Sequence, residues 1–300
     1  MKIYVAVTDD AWFRHLHGLD PRPEEVNFWK PGGHQVKHLV GTPWLFKLHA
    51  PNNYIVGGGY FTYFTQMPLH IAWESFEQKN GVASVTDLQR AIGKYREGAT
   101  LATPIGCVVL SEPFFLDPDR WIPIPENWSP NIVTGKSYDT EEPAGTQLWQ
   151  AVIMNRLHPI TPLVQAEAGY GKPQVIKPRL GQGYFRLRVT DAYDRCCAVT
   201  GERALPALEA AHIVPFADIQ THDVRNGLLL RADIHRLFDQ GYVTVNSDYR
   251  FLVSGSIHAE FHNGADYYKM HGQTITLPAD KSALPDRGFL EKHRKTTFHE

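Results

Sequence analysis

Between residues 208 and 239 the chain reads LEAAHIVPFADIQTHDVRNGLLLRADIHRLFD, and four of its side chains, His212, Asn226, His235 and Asp239, can carry hydrolytic chemistry. An imidazole titrates near neutrality and so can take a proton from water. His235 and Asp239 are four residues apart. On a helix that puts them on one face about a turn apart, a spacing suited to two ligands of one metal ion. Asn226 can fix an imidazole's orientation through its side-chain amide or its backbone. A base, a divalent cation against developing negative charge and a group that orients the base are together what phosphodiester hydrolysis requires. Singly these residues say less: a lone His at a strand end is usually structural, and Asn226-Gly227 alone reads as a turn.

The elements that must position them can be read on either side. Leu208, Ala210 and His212 alternate on one face of a strand that ends at the histidine, and a polar loop leads to Asn226. Leu228, Leu229, Leu230, Leu237 and Phe238 supply core contacts around a helix bearing His235 and Asp239. Upstream, YFRLRVTDAYDR predicts a helix with Phe185, Val189 and Tyr193 on one side. Arg186 and Arg188 on it, with Arg179 before it, are candidates for phosphate contact. The tail, MHGQTITLP and then LEKHRKTTF, is expected to pack back onto this domain.

A chain of 300 residues predicts about two domains. With 43% hydrophobic and 12% aromatic residues it can bury substantial cores, which excludes a disordered chain. The net charge of −2 does not mark a nucleic-acid binder, but it conceals an asymmetry. From Tyr170 onward there are 17 Lys and Arg against 15 Asp and Glu, and before it 13 against 17, so the C-terminal part is the basic one. Cys107, Cys196 and Cys197 contain no CxxC pair, which excludes a four-thiolate zinc site, and this cysteine usage suits a reducing cytoplasm. The opening MKIYVAVTDD reads as a strand rather than a signal peptide, and no apolar run approaches the ~18 residues of a membrane span.

The N-terminal part alternates strand and helix signals without regular βαβ spacing. Ile3, Val5 and Val7 predict a strand, with Thr8-Asp9-Asp10 capping a short helix to about His17. Strands are expected at 43–49, 54–64 and 105–110, and helices at 68–78, 84–95 and 145–155. Gly57-Gly58-Gly59 marks a bulge or a close backbone approach. The fold class is therefore α+β, a curved sheet or small β-barrel with helices, over residues 1–160. A Pro- and Gly-rich linker at 161–183 separates it from a domain at 184–300.

AAHIVP…RNGLLLRADIHRLFD resembles the HNH, or ββα-metal, endonucleases, and RLGQGYFRLRVTDAYDRCCAVTG resembles the lead-in of their restriction-associated branch. The resemblance covers about residues 179–240. It implies His212 as general base, Asn226 as orienting residue, His235 as the third catalytic motif residue and a metal ligand, and Asp239 as a further ligand. The implied metal is Mg2+ or Mn2+, with Zn2+ as an alternative. Many relatives place a ligand directly before the base, where this chain has Ala211; the metal then rests on His235, Asp239, waters and substrate phosphate, or Glu209 reaches in.

NFWKPGG, PWLFKLHAPNNYIVGGGYFTYF and IGCVVLSEPFFL resemble, in strand order and Gly/aromatic texture, the PUA-like superfamily that includes the SRA and EVE modified-base readers. Such a domain holds a flipped base between aromatic faces with polar groups at its edge. Candidates are Trp29, Trp44, Tyr60, Phe61, Tyr63 and Trp73, with Asn27, His49 and Asn53 as polar partners, although a core also absorbs aromatics of this kind. The combined expectation is a modification-dependent endonuclease acting on double-stranded DNA with modified cytosine, without membrane association. Cutting both strands with one site per chain favours a homodimer. The alternatives are a nuclease for unmodified or structured DNA or RNA, a nuclease gated by a small nucleotide, and a catalytically silent DNA-binding protein.

Overall fold

The computed structural model describes residues 1–32, 35–156 and 181–300. The chain divides into two compact units, Met1–Leu180 and Gly181–Glu300. Most of the expected linker, and Arg179 with it, lies outside the described residues.

The first unit contains β1 (Lys2–Thr8), α1 (Asp10–His17), β2 (Glu25–Lys30), β3 (Pro43–Leu48), β4 (Tyr54–Pro68), α2 (Leu69–Phe76), α3 (Val85–Gly93), β5 (Pro104–Phe115), β6 (Ile122–Pro123), β7 (Gly135–Asp139) and α4 (Pro143–Arg156). Among the described residues the strands form one mixed sheet in the order β2-β5-β4-β3-β1-β7, with β6 paired to β4, in which only the β1–β3 pair is parallel. Asp9 caps α1, its carboxylate accepting the N–H of Ala11 at 2.8 Å and of Trp12 at 3.3 Å, and Ser84 caps α3. Gly57 and Gly58 serve close approach: a Cβ on Gly57 would stand 2.3 Å from the Phe114 carbonyl oxygen, and one on Gly58 2.7 Å from that of Trp44. The β4–β5 register also slips between Gly58 and Tyr60, so the glycines mark both a bulge and a contact.

Both faces of this sheet are covered. Trp44, Phe46 and Leu48 of β3 join an aromatic core with Trp12, Phe28 and Phe61, whereas Leu45 joins Ile3, Val5, Leu148 and Val152 on the other side. That double burial overturns part of the expected base pocket. Trp44 is fully buried, and Tyr60 and Phe61 are also buried within the sheet. Asn27 is fully buried too, its amide donating to Asn80 Oδ1 at 2.8 Å. A strand packed on both faces has no wet side from which these aromatics can stack on a ligand, although Trp44 Nε1 and Asn27 Oδ1 are buried without a hydrogen-bond partner among the described residues.

The second unit contains α5 (Gln182–Ala192), β8 (Leu208–His212), α6 (Phe216–Ile219), β9 (Gly227–Arg231), α7 (Ala232–Asp239), β10 (Val243–Val245), β11 (Phe251–Val253), α8 (Ser256–Phe261), α9 (Ala265–Tyr268) and α10 (Arg287–Thr296). β8 and β9 form an antiparallel hairpin, as do β10 and β11. A single core runs beneath them from Phe185 and Val189 through Leu228, Leu230, Ile234 and Phe238 to Leu290. Cys196 and Cys197 are buried free thiols, and Cys197 Sγ accepts the Arg231 N–H at 3.3 Å. Among the described residues no helix is long and apolar enough to cross a membrane.

The C-terminal helix is fastened by His293, which is buried and stacked on Phe238 at 3.8 Å. Its Nε2 lies 3.1 Å from the Phe238 carbonyl and its Nδ1 2.8 Å from Thr244 Oγ1, so Nε2 carries the proton and Nδ1 accepts from the hydroxyl. Burial lowers this imidazole from 6.5 to about 4. Between those values the unfolded chain binds a proton that the folded chain refuses, so stability is complete above pH ~6.5 and falls as pH drops toward 4, by about 3 kcal/mol from this residue. His293→Gln is expected to be less stable at pH 7.5 but to lose much less on acidification. Urea midpoints at pH 7.5 and 4.5 check this, and equal slopes in both proteins would refute it.

Candidate active site

The hairpin and α7 place the four chemistry-bearing residues of the second unit. In β8, Glu209 and Ala211 share one face, and Ala210 and His212 the other. Ala211 is fully buried in the core, while the ring of His212 lies against Phe185 of α5, stacked at 3.8 Å and 7°. Packing against the phenyl face fixes the plane of the imidazole and removes much of its hydration. Burial, and after it the charge that His222 or His235 carries when its own ring is protonated, lowers His212 from 6.5 to about 4, so at neutral pH it is a free base.

Asn226 ends a 3-10 turn at Val224–Asn226 and is fully buried. Its Oδ1 accepts the Val214 N–H at 2.9 Å and its Nδ2 donates to the Val214 carbonyl at 2.8 Å, while its own carbonyl accepts from Ile213 at 2.9 Å. The amide therefore grips the backbone two residues beyond His212 rather than the imidazole that the sequence reading assigned to it. Gly227 follows with extended backbone. A Cβ there would stand 2.3 Å from Val189 Cγ2, so the glycine is required by close packing on α5 rather than by a turn. Asn226→Ala would orphan two buried polar groups of Val214 at about 1–3 kcal/mol each. The expected result is a clear loss of thermal stability in this unit; a melting curve matching wild type would contradict it.

On α7, His235 and Asp239 lie on one face, with His235 Nε2 3.3 Å from Asp239 Oδ2. His235 Nδ1 is 2.7 Å from Glu209 Oε2, across from β8. Burial raises the Asp239 carboxyl; His235 pulls it down and the Glu209 charge pushes it up. A neutral His235 that donates Nδ1–H to Glu209 would turn its Nε2 lone pair toward the Asp239 carboxylate oxygen, and a cation shared by the two would relieve that pairing of two acceptors. The donor set, one imidazole nitrogen and one carboxylate oxygen, fits a divalent ion that completes its shell with water and phosphate. Among the described residues no three His, Cys, Asp or Glu side chains converge as a ready-made cage.

Two contributors were missed in the sequence. Glu209 came up there only as a possible reach toward the metal, yet it bonds to His235. His222 carries no motif or periodic signal in the sequence. It is buried, and its Nδ1 lies 3.3 Å from His212 Nε2. Of the arginines, Arg186 and Arg188 are half-buried and already engaged. Arg188 bonds to Tyr184 and also lies in the field of Asp223.

In the first unit a cleft of ≈ 190 Å³ is lined by Thr8, Asp9, Trp29, Lys30, His49 and Tyr95, among others. Trp29 and His49 were expected in such a pocket; Asp9, Lys30 and Tyr95 were not. Burial lowers the Lys30 amine. Tyr63 and Trp73 are half-buried and do not line the cleft, nor does Asn53, which accepts a hydrogen bond from Lys47 Nζ at 2.7 Å.

Among solved structures, ASCH from Zymomonas mobilis is similar to this chain at 13% identity, over 49% of this chain and 94% of its own, with a TM-score of 0.34. A point mutant of it aligns at 11% identity over 50% and 98%, with a TM-score of 0.37. The modification-dependent TagI restriction endonuclease aligns at 12% identity over 97% of this chain and 80% of its own, with a TM-score of 0.28. These overlaps are too loose to assign anything to this chain. No curated protein matches it in sequence. The HNH endonuclease family profile matches residues 197–246. The hairpin and the helix that carry His212, Asn226, His235 and Asp239 all lie inside those residues, and the second unit thus carries an HNH endonuclease domain.

Proposed function

We propose that this chain is a modification-dependent DNA endonuclease: the second unit hydrolyses the phosphodiester with a divalent metal, and the first unit selects DNA containing modified cytosine. The observation that carries the nuclease chemistry is the pairing, on one hairpin-helix unit, of a free-base imidazole at His212 with the Glu209–His235–Asp239 cluster.

His212 takes the proton from the attacking water. Among the described residues its Nε2 is the ring nitrogen engaged in a hydrogen bond, to His222, which leaves Nδ1 for the water. Asn226 holds the turn after His212 so that the ring stays against Phe185. His235 and Asp239 are the residues to hold Mg2+ or Mn2+, with Zn2+ as the alternative, and Glu209 fixes the His235 tautomer. A bound divalent ion supplies charge stabilisation at the scissile phosphate.

For the first unit, the cleft beside Trp29 and Tyr95 offers aromatic faces, while Asp9 and Lys30 offer an acceptor and a donor for the edge of a base. This combination suits restriction of foreign DNA carrying modified bases, with a second copy of the chain cutting the second strand. The test is a cleavage panel of otherwise identical duplexes containing cytosine, 5-methylcytosine, 5-hydroxymethylcytosine or its glucosylated form, with Mg2+ or Mn2+. At least one modified duplex is expected to be cut tenfold or more faster than the unmodified one, an advantage Trp29→Ala removes. Equal cutting of all four would leave a nuclease without a modified-base reader.

A further inference from the structure

His222 belongs to neither the metal cluster nor the set of residues that the sequence singled out, yet it makes the hydrogen bond to the His212 ring. It lies in the loop between α6 and the Val224–Asn226 turn and is only 7% exposed. Its ring is stacked on Phe216 at 4.2 Å and 13°, as the His212 ring is stacked on Phe185. Each imidazole is thus held in plane by its own phenyl ring, and the two planes meet at 54°. Between them the contact joins His212 Nε2 to His222 Nδ1 at 3.3 Å. Two lone pairs cannot face each other at that distance, so one of these nitrogens carries a proton.

We propose that His222 is the positioning residue of the base: its Nδ1 accepts the proton of His212 Nε2, which holds His212 as the Nε2–H tautomer with the Nδ1 lone pair directed at the attacking water. The proposal rests on the reading of His212 as the base. When His212 gains the water's proton at Nδ1, its Nε2–H becomes the donor of a charge-assisted hydrogen bond to the same His222 nitrogen. The interaction is therefore stronger after proton transfer than before it, the condition under which a contact speeds a reaction rather than merely binding its ground state. A neutral imidazole acceptor performs this task without adding a carboxylate next to the substrate phosphate. His222 touches His212, not the substrate, so its loss should act on kcat.

The atoms allow a sharp test, because Nδ1 of histidine and Oδ1 of asparagine are both bonded to Cγ and occupy the same place. His222→Phe keeps the stack on Phe216 and deletes the acceptor; His222→Asn keeps the acceptor and deletes the ring; His222→Gln moves the acceptor one bond further out. On DNA cleaved by the wild type, His222→Phe and His222→Gln are expected to lower kcat about 10–100-fold with KM unchanged, the worth of one charge-assisted hydrogen bond. His222→Asn is expected to recover to within about threefold of wild type. In parallel, long-range 15N spectra of the wild-type protein should show His212 protonated on Nε2, and His222→Phe should mix its tautomers. A wild-type His212 protonated on Nδ1, a folded His222→Phe protein with full kcat, or an asparagine variant no better than the phenylalanine one would each overturn the proposal. The tautomer measurement needs no turnover. It therefore decides the role of His222 even if a His212→Ala protein still cleaves, a result that would count against the base assignment alone.

Discussion

His212→Ala is expected to lower DNA cleavage by about 10²- to 10⁴-fold, the usual contribution of a positioned general base, while leaving DNA binding within a few-fold of wild type. The large effect follows from the lack of a substitute among the described residues. His222, whose ring is bonded to that of His212, is buried, and His235 has both ring nitrogens beside carboxylates. The same environment fixes the pH dependence. With His212 lowered to about 4, its free-base form persists far below the ordinary imidazole range, so the acid limb of the rate profile should fall near pH 4–5 rather than near 6.5. Single-turnover cleavage over pH 4–8, with gel-shift binding of the same duplex, separates these effects. Wild-type turnover in His212→Ala would remove the base assignment, and an acid limb near 6.5 would show that DNA restores hydration to the ring.

How much of this site the sequence carried depends on whether each contact is local. The strand ending at His212 and the helix pairing His235 with Asp239 were legible because each depends on the period of one element. Glu209 and His222 were not, because their contacts join residues 26 and 10 positions apart through packing that no single periodicity encodes. Asn226 was legible as a residue that orients the imidazole through its amide or its backbone, but its contact was not: the folded chain closes the amide on the Val214 backbone. In the first unit the strands around Trp44 and Tyr60 were legible, yet the use of their aromatics was not. Whether a strand is covered on one face or two depends on helices distant in sequence, and here α1 and α4 supply buried residues to opposite faces of the sheet. The cleft-lining residues escaped for a related reason. Asp9 reads as a helix cap, which it is, and nothing in the sequence indicates that the cleft opens beside it.

Removing divalent metal with a chelator should abolish turnover, and His235→Ala should behave like the chelated protein at any ordinary Mg2+ or Mn2+ concentration. The cluster contains one imidazole between two carboxylates, so truncating the imidazole removes one of the two proposed ligands. Glu209→Gln separates orientation from ligation. The glutamine can still accept the His235 Nδ1–H but no longer strengthens the ligand electrostatically, so metal affinity should fall about 10–100-fold while saturating metal restores most of the turnover. Isothermal titration of Mn2+ into wild type, His235→Ala and Glu209→Gln reads this without any cleavage, and metal-dependent thermal stabilisation reads it again, since a ligand that binds the folded state raises its stability. Equal Mn2+ affinity in the wild type and His235→Ala would place the metal away from α7. If Glu209→Gln cannot be rescued at any metal concentration, Glu209 is itself a ligand, completing a three-residue shell that compensates for the alanine at position 211.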